Sequence, residues 1–566
     1  MYIRNYHRRF NTVFLLFILF FLFCLTRLLY IQFFRSNYLA EIGKKQHNLS
    51  VELEPRRGTI YDSSLHPQAI NITVDSVYAS SLEIPEKDKE AIIRKISPVL
   101  NLDYAFLRDK LSRKKSFVWL ARKITPAQSE ALKSLGIKGI GFIKETKRCY
   151  PNAYLASHII GFAGLDNVGL EGIEANYNNY LKGEPGFALF LRDARQKKLD
   201  LWEEMVLPRD GYDVILTIDE VIQYIAEREL DKAFIATRAK GASIIVMNPH
   251  TGEILALANR PTYDINDYKS ATKDEMRDRA ITDMFEPGSV FKIVTASGAL
   301  EEQKITEGQK IFCENGSYQI ASHVLHDHQP HGWLTFAEVI GQSSNIGTSK
   351  VAQLLGPNLL YHYVKAFGFG ARTGIDLAGE IPGSIKEPRY WSKTSIACVP
   401  MGQEVGVTAL QLANAISAIA NGGQLMRPYV VKEIRDKLGE EIKTFSPVLI
   451  RKVISLDTAA RVRKILIGAV EEGTGKLAKI DGVSVAGKTG TAQKLEANGT
   501  YSHNKFIGSF IGFTPAEDPQ IAIAVVLDDP HPYYGGVVAA PVFKNVAIDV
   551  LRYLKTKEPL VLSDNE

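Results

Sequence analysis

The chain has 566 residues, of which 45% are hydrophobic and 23% charged. This length and this balance predict a folded protein with more than one domain. The net charge is +5, and Arg4, Arg8 and Arg9 supply three of the positive charges. Residues 13–566 therefore hold 65 basic and 63 acidic side chains, a balance that argues against nucleic acid as a partner.

An apolar stretch near the N-terminus predicts a membrane anchor. Residues 13–25 are all apolar, and the apolar composition continues to residue 34. One helix over residues 13–34 is long enough to span a bilayer, and no small-residue cleavage site follows it. The sequence therefore predicts an uncleaved, single-pass anchor. The arginines within residues 1–12 predict that this tail stays in the cytoplasm and that the rest of the chain lies outside.

Two polar residues, Arg27 and Gln32, lie in the outer part of this predicted helix. One interpretation is that both side chains extend to the lipid headgroups. The other is that they contact the membrane helices of a partner protein. The sequence leaves both interpretations open.

The rest of the chain changes character near residue 213. Before it, strand-like pieces alternate with basic helical pieces, and residues 110–123 form either a solvated basic face or a membrane-surface contact. After it, strand patterns at both ends enclose apolar helical stretches, which predicts an α+β domain with an antiparallel sheet. The predicted strands are 213–219, 242–248, 253–258, 506–513 and 520–527, and the predicted helices are 220–232, 289–300, 334–355, 408–420 and 542–554.

Three short motifs follow one another in this second region: Ser289-Val290-Phe291-Lys292, Ser343-Ser344-Asn345 and Lys488-Thr489-Gly490-Thr491. Positions i and i+3 of a helix share a face, so Lys292 Nζ can reach Ser289 Oγ and act as the base for a serine nucleophile. The Ser-x-Asn tripeptide adds a second proton carrier and an amide. The Lys-Thr-Gly strand adds a cation, a hydroxyl and an exposed backbone edge. Together the motifs predict an acyl-transfer site.

Sequence context separates these motifs from accidental copies. Ser-x-x-Lys also starts at Ser112, Ser270 and Ser502. The first two copies lie in highly charged surroundings typical of a solvated face. Ser289, in contrast, follows the turn residues Glu286-Pro287-Gly288 and precedes an apolar run suited to a buried helix. Lys488-Thr489-Gly490 is the only Lys-Thr-Gly of the sequence and follows an alternating stretch typical of a strand.

With these motifs the chain resembles the class B penicillin-binding proteins, the monofunctional transpeptidases that cross-link peptidoglycan. In the first region the resemblance is carried by residues 57–62, 148–151, 161–162 and 169–174, although Ser63-Ser64-Leu65 replaces the usual Arg-x-Gly after the first of these. Residues 285–288, 534–536 and 540–543 resemble the cell-division subgroup.

The resemblance implies a role for each residue of the first two motifs. Ser289 attacks the penultimate D-Ala carbonyl of a stem peptide, and Lys292 is its base. Burial beside Lys488 is expected to lower the pKa of Lys292, so that its amine is neutral at the moment of attack. Ser343 relays the proton toward the leaving amine. Asn345 holds the substrate backbone and the Lys292 amine.

The resemblance also implies how substrate is bound. Lys488, with Thr489, Gly490 and Thr491, binds the substrate carboxylate. The same carboxylate is present in β-lactams, which explains inhibition by these drugs. The backbone N–H groups of Ser289 and Thr491 form the oxyanion hole.

A domain layout and partners follow from the same resemblance. The layout is a cytoplasmic tail (1–12), a signal anchor (13–34), a pedestal or dimerisation-like domain (35–215), a transpeptidase domain (216–556) and a polar tail (557–566). The protein is expected in the bacterial inner membrane with its catalytic domain outside the cytoplasm, where it acts in septal wall synthesis on stem peptides of lipid-linked nascent glycan. β-Lactams, a membrane glycan polymerase and other division proteins are the expected partners, and no metal or cofactor is expected.

Alternative functions use the same features. A β-lactamase or a D,D-carboxypeptidase would use the same three motifs, with water as the acceptor. A membrane-anchored scaffold would recruit division proteins with little or no catalysis.

Two further groups of residues have no assigned role. Four histidines lie within nine residues: His323, His326, His328 and His331. They are either a metal site or a polar loop over the cleft. Cys149, Cys313 and Cys398 are widely spaced outside the membrane helix, and we expect them to be buried small residues, with pairing left open.

Overall fold

The structure, a computed structural model, describes residues 2–39, 48–115, 117–192, 198–321, 323–496 and 499–557. All of the predicted tail 557–566 except Lys557 lies outside the described residues. The helices are α1 (Tyr2–Phe34), α2 (Glu86–Leu100), α3 (Tyr104–Ser112), α4 (Pro126–Ser134), α5 (Ser157–Ile160), α6 (Gly172–Asn176), α7 (Asn178–Leu181), α8 (Glu220–Thr237), α9 (Arg279–Thr282), α10 (Lys292–Glu301), α11 (Phe336–Gly341), α12 (Asn345–Leu355), α13 (Pro357–Ala366), α14 (Ser395–Cys398), α15 (Ala409–Ala420), α16 (Leu456–Glu471), α17 (Gly535–Val538) and α18 (Ala540–Lys557).

The strands are β1 (Asn48–Leu53), β2 (Ile60–Tyr61), β3 (Pro67–Ala79), β4 (Val118–Ala121), β5 (Ile140–Cys149), β6 (Gly186–Arg192), β7 (Lys198–Val206), β8 (Asp213–Leu216), β9 (Gly241–Met247), β10 (Ile254–Arg260), β11 (Lys310–Phe312), β12 (Ser317–Ile320), β13 (His323–His326), β14 (Trp333–Thr335), β15 (Ser384–Ile385), β16 (Val405–Gly406), β17 (Gln424–Met426), β18 (Val431–Arg435), β19 (Glu441–Thr444), β20 (Leu449–Lys452), β21 (Ala486–Leu495), β22 (Tyr501–Thr514) and β23 (Ile521–Asp528).

The first of two compact units combines Met1–Arg56 with Gly183–Gly211. Its helix α1 contains a 29-residue stretch, Tyr6–Phe34, with a mean hydropathy of 2.5. By length and composition this is the one helix among the described residues that can cross a membrane, and it contains the predicted span 13–34. The remainder of the unit is a three-stranded antiparallel sheet in the order β1-β6-β7.

The second unit, Arg57–Lys182 with Tyr212–Glu566, begins at a buried charge cluster. Glu174 lies between two arginines: its Oε2 accepts from Arg57 Nε and its Oε1 from Arg148 Nε, both at 2.5 Å. All three side chains are almost completely buried. The cluster joins three separate segments of this region, since each supplies one of the three charges.

A seven-stranded sheet runs through the second unit. Its main path is β19-β18-β8-β2-β3-β4, and β5 pairs with β3 along residues 70–79. Strand β8 is parallel to β2 and antiparallel to β18, so it joins residues of the pedestal region to the C-terminal region. The boundary expected between residues 215 and 216 therefore falls inside β8.

A five-stranded antiparallel sheet forms the centre of the C-terminal region, in the order β10-β9-β23-β22-β21. Helices α8 and α18 cover one face, with Ile222, Leu230 and Val546 in the packed core. Helices α10 and α15 belong to the core on the other face, through residues such as Val294 and Ile416. The predicted α+β architecture and the predicted β9–β10 hairpin are confirmed.

The prediction of one continuous helix over residues 334–355 is wrong. The stretch 334–355 is two helices, α11 and α12, rather than one. The interruption lies at Ser343, whose φ of 62° is left-handed and incompatible with a continuing right-handed helix. An apolar pattern continues through the break, which is why the sequence alone does not reveal it.

Candidate active site

The turn that carries Ser289 packs directly against strand β21. Ser289 lies in a single 3₁₀ turn, Gly288–Phe291, which leads into α10 at Lys292. Gly288 has a φ of 60°, and a Cβ there would lie 2.9 Å from the carbonyl oxygen of Thr491. A glycine is needed at this position both for its left-handed backbone and for this close approach. The first and third motifs are thereby brought together.

The second motif lies in the break between α11 and α12. Ser343 is the left-handed residue, and Ser344 is the N-cap of α12, where its Oγ accepts from the N–H of Gly347 at 2.9 Å. Asn345 is the first residue of α12. A left-handed residue followed by a helix cap exposes Ser343 and Asn345 on the same side, toward α10.

Lys292 is the centre of a hydrogen-bond network that joins the first two motifs. Its Nζ donates to the backbone carbonyl of Ser343, to Ser343 Oγ at 3.2 Å and to Asn345 Oδ1 at 2.8 Å. Among the hydrogen bonds of the described residues none joins Lys292 Nζ to Ser289 Oγ. Lys292 follows Ser289 by three positions, as the first residue of α10 after the 3₁₀ turn. Its amine is directed to the second motif instead.

Lys488 joins the third motif to the same network. Its Nζ donates to Ser343 Oγ at 3.0 Å and to its neighbour's carbonyl, Thr489 O, at 3.3 Å. Ser343 Oγ therefore lies between two lysine amines. Lys488 and Lys292 are both completely buried.

Burial changes the protonation of both lysines. Desolvation lowers the pKa of Lys292 well below its usual value, and the like charge of Lys488 lowers it further, while Asp327 opposes both effects. Burial also lowers the pKa of Lys488, to about 7. The pair therefore carries less than its full charge near neutral pH, which makes an uncharged lysine base available.

The two threonines of the third motif lie on the opposite side of β21 from Lys488, as strand alternation requires. Thr489 Oγ1 is hydrogen-bonded to Thr474 Oγ1 at 2.7 Å, and Thr491 Oγ1 accepts from the N–H of Gly535 at 3.0 Å. Strand β21 is the edge of its sheet, which leaves part of its backbone open to a peptide ligand.

Gly490 is required by packing. A Cβ at this position would lie 2.4 Å from Ser509 Oγ and 2.9 Å from Val290 Cγ1. Neither distance is compatible with a side chain. The middle of the third motif is thus a close approach between the sheet and the turn that carries Ser289.

Sequence reasoning missed Asp327, which lies in the loop after β13. Its Oδ1 accepts from the N–H groups of Asn345, at 2.5 Å, and Ile346, at 3.0 Å, and its Oδ2 accepts from Ser344 Oγ at 2.6 Å. The carboxylate holds the second motif in place and faces the start of α12, where a negative charge is favourable. Its position within the histidine-rich stretch was the signal available in the sequence.

The histidine-rich stretch begins as strand β13 and continues as a loop beside the cleft. The carbonyl of His326 accepts from Asn345 Nδ2 at 3.0 Å, and the ring of His328 lies 5.2 Å from that of Tyr534. The described residues include one group with the spacing of metal ligands, Asp62, His66 and Glu220, which lies outside the three motifs.

The cysteines are all free, and the expectation that three of them are buried is wrong in part. Cys313 is buried, whereas Cys149 and Cys398 are only half-buried. Cys149 is the last residue of β5, and Cys398 is the last residue of α14.

The assembled site has a half-buried serine at the start of a helix, two buried lysines of lowered pKa, a bridging serine and a sheet edge. These parts define a serine acyltransferase that binds an extended peptide, because they supply a nucleophile, an uncharged base, a proton relay and a backbone edge.

Comparison with known proteins identifies the family. Residues 242–547 match the penicillin-binding protein transpeptidase domain, and residues 52–216 match the penicillin-binding protein dimerisation domain. The chain belongs to the penicillin-binding proteins, as a class B member.

Relatives and solved structures agree with this assignment. Stage V sporulation protein D of Bacillus subtilis is 37% identical, covering 94% of this chain and 83% of the relative. The probable peptidoglycan D,D-transpeptidase PenA of Neisseria meningitidis is 34% identical, covering 94% of this chain and 91% of the relative. The crystal structure of penicillin-binding protein 3 from Mycobacterium tuberculosis in complex with aztreonam matches with a TM-score of 0.69 and 27% identity, over 89% of this chain and 97% of that one.

Proposed function

We propose that this protein is a peptidoglycan D,D-transpeptidase that cross-links stem peptides through an acyl-enzyme on Ser289. The observation that carries the proposal is the buried amine of Lys292, which is held by Ser343 and Asn345 one turn from Ser289. Its lowered pKa supports a neutral base, which a serine nucleophile requires.

In the proposed reaction Ser289 Oγ transfers its proton to Lys292 and attacks the carbonyl carbon of the penultimate D-Ala. The backbone N–H groups of Ser289 and Thr491 stabilise the oxyanion. Ser343, which bridges the two lysine amines, passes a proton to the departing amine of the terminal D-Ala. An amine of a neighbouring stem peptide then attacks the acyl-enzyme and forms the cross-link.

Substrate binding is proposed to use the third motif. The hydroxyls of Thr489 and Thr491 bind the terminal carboxylate, and the Lys488 ammonium attracts it from the other side of the strand. Gly490 serves binding by keeping this strand close to the turn that carries Ser289. A β-lactam carries an equivalent carboxylate, so we expect it to acylate Ser289 as well. Asn345 holds the substrate backbone beside the Lys292 amine.

The setting of the reaction is part of the proposal. Helix α1 anchors the protein in the inner membrane as a single pass, with residues 1–12 in the cytoplasm and the catalytic region outside. Residues 35–215 act as a pedestal, and residues 216–556 carry the reaction. The nascent, lipid-linked glycan brings the stem peptides, and a membrane glycan polymerase and other division proteins are the proposed partners.

Residues 285–288 and 534–536 support a septal role. A sporulation-specific wall step is the second candidate, because the relative that is 37% identical is named Stage V sporulation protein D. Depletion of the protein separates the two: filamentous cells would support the septal role, and normal growth with defective spores would support the second candidate.

Intact-mass measurement of the detergent-purified protein after incubation with benzylpenicillin tests the reaction. A drug-mass adduct in the wild type, absent in Ser289→Ala, is the expected result. Drug hydrolysis without an adduct would indicate a β-lactamase, and intact drug without an adduct would favour the scaffold. Release of D-Ala that an amine acceptor does not divert into a new peptide bond would indicate a D,D-carboxypeptidase.

A further inference from the structure

Three side chains that can bind a metal meet where the turn between β2 and β3 contacts the start of α8. Asp62 and His66 belong to that turn, and Glu220 is the first residue of α8. One ligand atom of each residue lies within 4.8 Å of the other two. The group includes no residue of the three motifs, and it connects the pedestal with the catalytic region.

The separations between these atoms match the coordination sphere of a small divalent metal. His66 Nδ1 lies 3.2 Å from Asp62 Oδ2 and 3.8 Å from Glu220 Oε2. Zinc binds histidine nitrogen and carboxylate oxygen at roughly 2.0–2.2 Å, which places neighbouring ligands of a tetrahedron roughly 3.4 Å apart. One ion between the three side chains can therefore reach all of them after a small side-chain adjustment.

The charges of the group are not balanced by the protein. The side chain of Asp62 is 1% exposed, yet among the described residues both Asp62 and Glu220 form ion pairs with His66 alone. Lys557, which contacts the same turn through Ser64 Oγ at 2.8 Å, is paired with Asp219 instead. Buried carboxylates are normally paired with a cation or bound to a metal. His66 supplies at most one positive charge for two carboxylates, so a further cation is needed.

Hydrogen bonds behind the ligand atoms hold two of the side chains in place. Asp62 Oδ1 accepts from two backbone N–H groups of the turn, and Oδ2 accepts from the N–H of Glu220 at 3.1 Å and faces His66 Nδ1. Glu220 Oε2 accepts from Nε2 of the buried Gln68 at 2.8 Å, and Gln68 Oε1 accepts from Asn152 Nδ2 at 3.2 Å. Outer partners of this kind orient the ligands of metal sites.

The proton on the His66 ring distinguishes a metal site from a simple ion pair. A protonated ring donates from Nδ1 to Asp62 and leaves Glu220 Oε2 at 3.8 Å, beyond hydrogen-bonding distance. A neutral ring with its proton on Nε2 directs the Nδ1 lone pair into the space between the two carboxylates, as a metal ligand requires. The approach of both carboxylates to one ring nitrogen favours the metal site.

We propose that Asp62, His66 and Glu220 bind one Zn²⁺ ion, with water as the fourth ligand. Histidine nitrogen and carboxylate oxygen are ligands that zinc accepts in proteins. The ion joins the turn between β2 and β3 to the first turn of α8, and it thereby stabilises the junction between the pedestal and the catalytic region. The reaction at Ser289 does not involve this metal.

Zn²⁺ binding is measured with the full-length protein in detergent, purified without a polyhistidine tag and freed of metal by a chelator. Competition with a chromophoric zinc chelator gives the stoichiometry and the affinity. We expect one ion per chain in the wild type. In His66→Asn the affinity should fall by about 100-fold or more, because a direct ligand contributes more than the outer partners whose loss costs roughly 10- to 100-fold.

A matched control separates this site from the histidine-rich stretch. His328→Asn with His331→Asn removes two other histidines and should keep the wild-type affinity. Glu220→Gln is the second variant if His66→Asn does not fold. Its amide can still accept from Gln68 but is a poor zinc ligand, so Zn²⁺ binding should weaken in the same direction.

Thermal unfolding supplies a measurement that an ion pair without metal would not change. Added Zn²⁺ should raise the melting temperature of the wild type in proportion to the logarithm of its concentration, since only the folded protein presents the three ligands together. The melting temperature of His66→Asn should not respond to Zn²⁺. A His66–Asp62 ion pair would instead make the wild type more stable than the variant by the same amount with and without Zn²⁺, which would overturn the proposal.

X-ray absorption at the zinc edge identifies the ligands of the bound ion. We expect nitrogen and oxygen neighbours at about 2.0–2.1 Å, whereas a sulfur neighbour at about 2.3 Å would place the ion at a cysteine and contradict the proposal. The proposal also fails if the wild type does not bind Zn²⁺, or if binding is lost in the control and retained in His66→Asn. Acylation by benzylpenicillin tests the proposed function separately.

Discussion

The pedestal and the catalytic cleft each bury two cations, with opposite consequences. In the pedestal, Arg57 and Arg148 share one buried carboxylate, Glu174, at 2.5 Å on each side. In the cleft, Lys292 and Lys488 share a neutral hydroxyl, Ser343 Oγ. In the pedestal the shared carboxylate lies directly against both guanidinium groups. The cleft arrangement loses charge, because lysine can release a proton where arginine does not.

Whether a buried cation is an arginine or a lysine decides whether it stabilises the fold or takes part in proton transfer. Arg57 and Arg148 also donate to carbonyl oxygens of the chain, at Glu174 and Gly58, so both guanidinium groups are fixed in place. Lys292 is close to one carboxylate, Asp327, which raises its pKa only in part. A buried cluster in which two arginines share a carboxylate is structural, and a buried pair of lysines without a carboxylate between them is poised for proton transfer.

Replacing Lys292 gives the largest expected change in activity. Lys292→Met should reduce benzylpenicillin acylation by about 10²–10⁴-fold, the usual contribution of a positioned base. The rate at which the drug adduct forms, followed by intact mass in both proteins, would measure this loss. A rate within a few-fold of the wild type would remove Lys292 as the base.

The same variant has a second expected effect, on stability. Because the pKa of Lys292 is lower in the folded than in the unfolded protein, the unfolded state binds more protons between the folded value and 10.5. The free energy of unfolding therefore rises with pH across this window. Lys292→Met should make that dependence shallower, and denaturant titrations at several pH values would show it.

Replacing Glu174 tests the pedestal side of the comparison. Glu174→Gln leaves two buried guanidinium groups without their carboxylate, and we expect a loss of about 3–5 kcal/mol in unfolding free energy. Glu387→Gln, which breaks the exposed pair with Arg389, is the matched control and should cost less than about 1 kcal/mol. Equal effects in the two variants would contradict the structural role of the cluster.

Asp327→Asn should have a smaller effect on the cleft. The amide keeps part of the hydrogen bonding to Asn345 and Ser344 but removes the charge that raises the pKa of Lys292. Acylation should fall by about 10-fold, equivalent to about 1.4 kcal/mol, because one charge-assisted contact is lost. The pH at which acylation begins should move downward. An upward shift would show that Asp327 acts on Lys292 differently.

Thr474→Val has the smallest expected effect. It removes the hydroxyl that holds Thr489 Oγ1, and we expect a change of about 1 kcal/mol or less, seen as a few-fold loss in acylation. The isosteric shape should keep the melting temperature close to that of the wild type. A loss comparable to that of Lys292→Met would place Thr474 in the reaction itself.

Much of the site could be predicted from short-range sequence patterns. The order of Ser289, Ser343 and Lys488, the membrane helix and the antiparallel sheet all follow from motif spacing and hydrophobic periodicity. These features are local, so one stretch of sequence is enough to indicate each. The ion cluster is different, since Arg57, Arg148 and Glu174 are up to 117 residues apart and their contact depends on the fold.

Other features required the structure for physical reasons. The left-handed backbone of Ser343 lies inside an apolar pattern that continues through both helices, so no local signal marks it. Asp327 contacts the second motif from a loop whose polar sequence predicts only an exposed surface. Thr474 approaches Thr489 only because α16 ends beside β21. Asp327 and Thr474 contact residues that are distant in sequence, so a local pattern does not reveal these contacts.

The pH dependence of benzylpenicillin acylation by the wild-type protein tests the central claim most directly. Two buried lysines of lowered pKa predict a bell-shaped profile. The second-order rate constant increases as the pH is raised through the acidic range and is already high near pH 7. It declines above pH 7, because Lys488 loses its proton with a pKa of about 7. The two apparent pKa values belong to the pair. A rate constant that increases steadily toward 10.5, the ordinary value for lysine, would contradict the claim.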